Sequence, residues 1–341
     1  MDVTITKTFD PECDTFLKNR PDAKICHTYK WSDAVARAAR LKSFYLVACD
    51  HKGIHGVLPL VHAKSVLFGN FMVSQAFSDY GGLIADSAEV RDALFNRAVE
   101  TAVKLGCESI EFRNTEPLPY DLQERTGKMC MHLPLAPDPD EIWKSFDPKV
   151  RNQVRKAEKS DIVAQDGSLE LLDDFYRVYT ARMHQLGTPA YPHKLMQNLL
   201  EVFPDNSRLF AVRLNGLTIG VGLTFHFNGF VEIPFASTFT QYNSLCPNNL
   251  LYWSVIKYYC LVGAKCFDFG RCTVDGPTYQ FKKQWGPEPV ALHYQYWVRP
   301  GHRLSVLSPD NPKYKRRVEM WKKLPLWTTR LLGPYISRNL P

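Results

Sequence analysis

The chain has 341 residues, of which 45% are hydrophobic and 13% aromatic, and its formal net charge is +7. This length exceeds the usual size of one hydrophobic core, so two domains are expected, and the composition excludes a disordered chain. An odd number of cysteines without a CxxC pair, no signal-peptide pattern and no apolar run of about 18 residues together predict a cytoplasmic protein with reduced thiols.

The first half of the chain shows the periodicities of an α/β unit. Apolar residues recur at helical spacing over 88–105, and Gly106 is expected to end that helix. The Asp50–Gly53 segment has the composition of a hairpin turn. In chain order we predict a helix over 29–42, strands over 44–49, 53–61, 71–77 and 83–84, a helix over 88–105 and a strand over 109–113.

The second half repeats this order. We predict helices over 169–185 and 194–202, strands over 208–214, 218–227 and 230–237, a helix over 248–261 and a strand over 265–269. The segment 106–112 aligns with 263–269 at an offset of 157, with Gly at the start and Phe at the end of both. A degenerate repeat of this kind predicts a duplicated fold, with most of the chemistry-bearing residues in the second copy.

Composition also suggests where the domains meet. A proline-rich stretch, 134–148, separates the two copies and is followed by a basic helix over 149–159. We therefore predict a first domain over 1–140, a second over 141–300 and a C-terminal tail over 301–341.

This element order resembles the GNAT acyltransferase fold, and two such units in one chain resemble the Fem (FemAB) family of peptidoglycan-bridge transferases. The matching motifs are the basic segment 150–157, the helix–Gly–strand segment 250–271 and the Tyr-Gln-Phe-Lys-Lys-Gln-Trp-Gly segment 279–286. The resemblance implies an α/β (α+β) fold of two tandem GNAT-like domains with mixed, mainly antiparallel sheets. It also implies an aminoacyl-tRNA-dependent transferase of cell wall biogenesis.

A narrower resemblance is to the Fem-like proteins of exosortase and PEP-CTERM exopolysaccharide systems. It is carried by Leu-Gly-Thr-Pro at 186–189, Asp-Phe-Gly-Arg at 268–271 and the tail segments 321–326 and 332–334. This resemblance implies a cell-envelope or exopolysaccharide precursor as the acceptor.

Lys282 and Lys283 are the first candidates for chemistry. If the two lysines are neighbours on a strand, their side chains point to opposite faces of the sheet. We expect the side chain of Lys282 to face the cleft. A fixed cation there can neutralise a phosphate or stabilise an oxyanion, and the Fem resemblance implies a phosphate contact. The alternative is a solvated lysine pair at a strand end.

Asp268 and Arg271 follow the last predicted strand. Asp268 is a candidate base for an attacking amine, and Arg271 a candidate for binding a carboxylate or phosphate. The alternative is an ion pair between the two that only shapes the turn. The kinase meaning of Asp-Phe-Gly is excluded, because neither a His-Arg-Asp loop nor a glycine-rich strand turn accompanies it.

Further candidates for substrate binding lie on the basic helix and among the tyrosines. Arg151 and Arg155 are four residues apart and share a helix face that can bind a polyanion such as tRNA. Tyr242 and Tyr279 are candidate cleft hydroxyls. The alternatives are a solvated basic face and tyrosines that pack in the core.

The donor is constrained by a missing motif. GNAT enzymes that use acetyl-CoA carry a Gly-x-Gly turn before their long helix, whereas residues 241–248 contain no glycine. We therefore expect no tightly bound cofactor and no metal, and a bulkier donor such as aminoacyl-tRNA in preference to acyl-CoA.

The tail concentrates the positive charge. Residues 309–341 hold eight Lys and Arg side chains, interspersed with Trp321, Leu324, Trp327 and Leu331. Such a segment can lie on an anionic membrane, which would place the protein at the periphery of the inner membrane. The alternative is a tail packed on the domain with its charges in water.

Taken together, these features predict a Fem-like acyl- or aminoacyltransferase that forms an amide on an amine of a phosphate-bearing or sugar-linked envelope precursor. Two alternatives remain: a CoA-dependent N-acetyltransferase acting on an amino sugar, and a non-catalytic partner of polysaccharide machinery. The first copy lacks the 279–286 segment and is expected to be structural.

Overall fold

The computed structural model describes residues 2–65, 68–304 and 312–338. These residues form two compact units, the first mainly from residues 2–126 and 291–304, the second from residues 127–290 and 316–334. Each unit contains one mixed sheet with helices packed against it. This agrees with the predicted fold class.

The first unit is built on a sheet with strand order β1-β2-β3-β4-β6-β16-β7, and β5 pairs with β3. Within this sheet β4 and β6 run parallel, whereas the hairpin partners β2 and β3 run antiparallel. The strands are β1 (Asp2–Thr6), β2 (Lys42–Asp50), β3 (Gly53–Ser65), β4 (Gly69–Val73), β5 (Ile84–Ala85), β6 (Ser109–Asn114), β7 (Gln123–Arg125) and β16 (His293–Val298). The helices are α1 (Pro11–Lys18), α2 (Tyr29–Ala39) and α3 (Ala88–Lys104).

Helix α3 forms where its periodicity predicts. The Ser87 hydroxyl accepts a hydrogen bond from the Val90 amide and caps the first turn. The apolar stripe that includes Leu94 and Ala98 is buried in the core of the first unit. Gly106 follows the helix with φ +69°, a left-handed conformation that glycine adopts without steric cost.

The second unit has strand order β14-β8-β13-β12-β11-β10-β9, and β15 pairs with β8. Its strands are β8 (Lys128–Pro134), β9 (Ile162–Gly167), β10 (Ser207–Leu214), β11 (Leu217–Phe227), β12 (Phe230–Thr238), β13 (Cys266–Asp268), β14 (Cys272–Thr273) and β15 (Glu288–Ala291). Its helices are α4 (Pro139–Ser145), α5 (Pro148–Glu158), α6 (Leu172–Leu186), α7 (His193–Val202), α8 (Pro247–Leu261) and α9 (Pro277–Lys283). The C-terminal helices are α10 (Pro312–Lys323) and α11 (Leu326–Ser337).

Helix α8 is the central helix of the second unit. Apolar residues lie all round it, as expected for a helix enclosed by protein, and Leu251, Val255 and Ile256 are fully buried. It packs against α5 and the sheet, so the predicted basic helix is held on the core through Val150 and Val154.

The unit boundary differs from the one expected near residue 140. Strand β8 precedes that point but pairs with β13 of the second sheet. Strand β16 lies inside the predicted second domain but pairs with β6 of the first sheet. In both cases a strand pairs with a strand that is distant in the sequence. Composition along the chain does not predict such pairings. Among the described residues, no helix has the length and apolarity needed to cross a membrane.

The buried His27 in the first unit makes stability depend on pH. Burial lowers the pKa of its imidazole to about 4, and the Lys24 amide donates to its Nδ1 at 2.9 Å. Below the unfolded pKa of about 6.5 the unfolded chain binds a proton that the folded chain does not. We expect the free energy of unfolding to fall by about 3 kcal/mol between pH 6.5 and 4, as measured by urea denaturation.

The control for this pH dependence is His27→Gln, which removes the titrating group. The slope of stability against pH over this window should become shallower in the variant, whatever its absolute stability. An equal slope in both proteins would assign the pH dependence to other groups.

Candidate active site

The sheet of the second unit opens at one place. Strands β12 and β13 pair in parallel at three positions, the last of them Glu232 with Asp268. Strand β12 then shifts register against β11 and continues to Thr238, whereas the chain turns away after Asp268. Within the described part of the chain, no strand pairs with this side of β12 beyond Glu232. The divergence leaves an edge of backbone amides and carbonyls beside the end of β13.

Three titratable side chains form a row at this opening. Glu232 lies opposite Asp268, and Asp268 lies opposite His132 on β8, so the three project from the same face of the sheet. Glu232 and Asp268 are buried, while the His132 side chain is 19% exposed and its Nε2 lies 4.0 Å from Asp268 Oδ1. Buried carboxylates in adjacent positions are a common feature of sites that transfer protons.

Of these three residues, the sequence motifs indicate Asp268 but not Glu232 or His132. One signal for Glu232 was present, because it is a single charged residue between Val231 and Ile233 in an otherwise apolar strand. His132 carried no comparable signal, since its position depends on the pairing of β8 with β13.

Asp268 organises the turn that follows β13. Its Oδ1 accepts hydrogen bonds from the amides of Gly270, at 2.8 Å, and Met131, at 3.3 Å. Gly270 has φ +75°, so the turn uses the left-handed conformation that glycine favours. With its side chain fully buried and bonded to backbone, Asp268 has the geometry of a positioning residue more than of a base that meets substrate.

Lys282 holds the same turn from the other side. Its ammonium donates to the carbonyls of Gly270, at 2.6 Å, and Arg271, at 3.1 Å. Lys282 is 4% exposed and lies on helix α9. The prediction that the two lysines lie on a strand is therefore wrong. Pro277 at the start of α9 favours a helix because its missing N–H lies where no intrahelical bond is made. The structure thus brings Asp268, Arg271 and Lys282 together through one turn.

Aromatic packing fixes α9 against the core. Phe281 and Trp285 lie within 5.4 and 6.1 Å of the Tyr252 ring, centroid to centroid, and Phe269 stacks on the same ring. Lys283, in contrast, is exposed, with its ammonium 5.8 Å from the centre of the Tyr279 ring. The side chain of Arg271 is also exposed. Arg271, Lys283 and Tyr279 are therefore accessible around a turn whose backbone is fixed.

The remaining predicted residues lie around the start of α8. On α5, Arg155 lies over the Trp143 ring at 5.5 Å, and Arg151 Nη1 donates to the Lys144 carbonyl at 3.4 Å. Gln153, which lies on a different face of α5 from these two arginines, accepts a hydrogen bond from Asn249 at 3.0 Å, and this bond joins α5 to the first turn of α8. Tyr242, in the turn before α8, is half-buried against the core. The described contacts do not join this group to Lys282.

The turn before α8 offers few amides to an anion. Residues 240–245 form a 3₁₀-helix, and Pro247, the first residue of α8, has no N–H. The amides of Asn249 and Leu250 both donate to the Cys246 carbonyl. A diphosphate held by backbone N–H groups, as at many helix N-termini, has little to bind here.

The corresponding place in the first unit is occupied by an ion pair. Glu111, at the position that matches Asp268, accepts from Arg113 Nε at 2.7 Å, and both side chains are buried. Arg113 also donates to the carbonyls of Gln75 and Ser78, and it stands where the second unit has Gly270. The arginine therefore neutralises this carboxylate and fills the turn.

A cavity of about 340 Å³ also lies in the first unit, lined by residues that include Tyr80, Asp86, Arg113 and Asn114. Two of its charged groups are paired within the unit: Arg113 with Glu111, and Asp86 with Arg20. Neither Arg113 nor Asp86 is therefore an uncompensated charge that would define a ligand. For this reason we assign the candidate active site to the opening between β12 and β13.

Comparison with known families finds a match within the second unit. A family model described as an acetyltransferase (GNAT) domain matches residues 144–283. The matched residues make up most of the second unit, which therefore has a GNAT-like acyltransferase fold. Domains of this class use an acyl-CoA as co-substrate, and the enzyme is an acyltransferase. No curated protein sequence matches the chain.

Solved structures with the same fold cover nearly the whole chain. The crystal structure of FemX is 15% identical, with a TM-score of 0.69 over 93% of this chain and 99% of that one. A tandem GNAT protein from the clavulanic acid biosynthesis pathway is 11% identical, with a TM-score of 0.52 over 89% and 100% of the two chains. The C-terminal domain of a putative lysylphosphatidylglycerol synthetase from Agrobacterium fabrum is 11% identical, with a TM-score of 0.57 over 84% and 90%. These likenesses establish the tandem GNAT fold that the sequence predicts.

Proposed function

We propose that the protein transfers an acyl or aminoacyl group to the amine of a cell-envelope or exopolysaccharide precursor and forms an amide. The observation that carries the proposal is the opening between β12 and β13, with the row of Glu232, Asp268 and His132 at its edge. An extended substrate segment with amide groups of its own can lie along the open edge of β12, where backbone amides and carbonyls can bond to it as to an added strand.

The row supplies an acceptor for the proton that the reaction releases. The amine attacks the acyl carbonyl, the C–N bond forms, and the donor's C–O or C–S bond breaks as its oxygen or sulfur leaves. The amine loses one proton in this step, and we assign that proton to Glu232, the carboxylate of the row beside the open edge of β12. Asp268 is assigned the role of fixing the turn, in place of the base role expected from sequence.

Lys282 and Arg271 form the electrostatic part of the proposed site. Lys282 donates two hydrogens to backbone carbonyls, and the third hydrogen of an ammonium can meet a developing oxyanion or a phosphate. Arg271 is assigned to a phosphate or carboxylate of the acceptor, with Lys283 and Tyr279 beside it. Arg151 and Arg155 on α5, and Tyr242 in the turn before α8, are assigned to the donor, because α5 packs against α8.

Aminoacyl-tRNA and acyl-CoA, the two candidate donors of the transferred group, are each supported by a different observation. The turn before α8, with few amides directed at an anion, favours an aminoacyl-tRNA over the diphosphate of CoA. The match to an acetyltransferase domain favours acyl-CoA and an N-acetyltransferase. One similar structure is named for lysylphosphatidylglycerol, an aminoacylated phospholipid, which supports an aminoacyl donor. The tail and turn motifs shared with Fem-like proteins support an exopolysaccharide precursor as acceptor.

A thermal-shift screen of the purified chain tests these assignments. The ligands are acetyl-CoA, a longer acyl-CoA, charged tRNA and a UDP-linked muropeptide. Binding at about 100 times Kd stabilises a protein by about 2.7 kcal/mol, which is several degrees in Tm. We expect a shift with charged tRNA and with the UDP precursor, and loss of the precursor shift in Arg271→Ala.

The matched control is Lys104→Ala, which removes an exposed cation from the first unit without touching the site. A shift with an acyl-CoA alone would replace the aminoacyl donor with CoA and assign an N-acetyltransferase. No shift with any donor, together with no transfer product, would favour a non-catalytic partner of polysaccharide machinery.

A further inference from the structure

The C-terminal helices present two opposite stripes, one buried and one exposed. On α11 the buried positions are Thr329, Gly333 and Ser337, spaced four residues apart. The exposed positions are Trp327, Leu331 and Tyr335, with the same spacing and 59 to 69% exposure. Two positions along a helix correspond to about 200°, so the two stripes lie on opposite sides of α11.

The buried stripe anchors α11 firmly on the second unit. The Thr329 hydroxyl lies 3.2 Å from His184 Nδ1 on α6. Arg330 donates to the Thr180 hydroxyl at 3.0 Å and to the Arg177 carbonyl at 3.2 Å. At Gly333 a Cβ would come within 3.0 Å of the Ala190 amide, so the helix approaches the 187–190 loop closely. These contacts fix which side of α11 faces outward.

The outward side combines apolar and cationic groups. Met320 and Leu324, before α11, continue the exposed apolar surface, and Leu332 widens it. The cations Lys315, Arg316 and Lys323 are exposed on α10. Lys322 pairs at 3.0 Å with Glu319, the one acid among the described residues of the two helices. An exposed Trp and Leu stripe with many lysines and arginines is the composition of helices that lie in a membrane interface.

We propose that α10 and α11 form a lipid-binding surface that docks on anionic membranes. The stripe of Trp327, Leu331 and Tyr335 would insert among the acyl chains and headgroups, while the α10 cations neutralise lipid phosphates. A second copy of this chain is a poorer occupant, because two such surfaces would bring like charges face to face. This property is independent of the proposed reaction, although an acyltransferase of lipid-linked precursors would be concentrated near its acceptor by it.

Vesicle co-sedimentation of the full chain tests the surface. We expect binding to vesicles of phosphatidylcholine with phosphatidylglycerol, weak binding to phosphatidylcholine alone, and loss of binding at high salt. Trp327→Asp combined with Leu331→Asp should weaken binding at least about tenfold, because two apolar side chains no longer insert. Lys323→Glu should weaken it at least about fivefold.

The controls carry the same changes elsewhere on the surface. Leu261→Asp changes a leucine that is 66% exposed at the end of α8, and Lys104→Glu changes an exposed lysine on α3. Both should bind like the unchanged protein, and circular dichroism should be the same for all variants. Equal binding to neutral vesicles, or retained binding in the double variant, would overturn the proposal. A dimer that the double variant dissociates, without vesicle binding, would identify a second copy as the occupant and also overturn it.

Discussion

Replacement of Lys282 by methionine is expected to lower the free energy of unfolding by about 3 kcal/mol. The ammonium is buried and donates to two carbonyls of the turn after β13, at Gly270 and Arg271. Methionine has a similar length but donates nothing, so the Gly270 carbonyl would lose its partner in a buried position and the Arg271 carbonyl in a partly buried one. Urea denaturation measures the difference.

The neighbouring residue supplies the control for this substitution. Lys283→Met removes an exposed cation whose described contact is the Tyr279 ring, and it should change stability by less than about 0.5 kcal/mol. A result in which both variants lose equal stability would mean that helix α9, and not the bond to the turn, is affected. An unchanged midpoint for Lys282→Met would show that its ammonium does not hold the turn.

The contrast between these adjacent lysines illustrates what sequence reasoning achieved at the site. The motif identified the right segment and favoured Lys282 over Lys283 as the residue directed inward. The lysines were treated as neighbours on a strand, however, whereas they lie on helix α9. The helix is imposed by tertiary packing of Phe281 and Trp285 on Tyr252, and by Pro277 at its first turn.

Local sequence patterns predicted the helices and strands, whereas the candidate site is formed by the pairing of strands that are distant in the sequence. The hairpin of β2 and β3, helix α3 and helix α8 all lie within a few residues of their expected bounds, because each has its own periodicity or turn signal. The row of His132, Glu232 and Asp268 joins three strands from distant parts of the chain. No spacing in the sequence places these residues side by side, and the exchange of β8 and β16 between the sheets was missed for the same reason.

Duplication gives the clearest physical distinction between an active and a structural unit. The same position at the end of a parallel strand holds Glu111 in the first unit and Asp268 in the second. In the first, Arg113 neutralises the carboxylate and fills the turn. In the second, glycine replaces that arginine, and Glu232 adds a second carboxylate to the row. This difference supports a site in the second unit, as the sequence analysis expected from the 279–286 segment.

Substitutions in the row separate proton transfer from structure. Glu232→Gln removes a charge from a buried position with little change in shape, and we expect it to lower kcat/KM for the transfer reaction by about 100-fold or more. Its Tm should stay close to that of the unchanged protein. The measurement is the rate of amide formation with the donor that the ligand screen identifies. An undiminished rate would exclude Glu232 as the proton acceptor.

Asp268 should respond differently, because its carboxylate bonds to backbone amides. Asp268→Ala leaves the amides of Gly270 and Met131 without their acceptor and is expected to cost about 3 kcal/mol of stability. Asp268→Asn keeps an oxygen in the same place, so it should retain most of the stability. If Asp268 only positions the turn, the Asn variant also keeps a rate within about tenfold of the original. A stable Asn variant that is as slow as Glu232→Gln would instead restore the base role that the sequence suggested for Asp268.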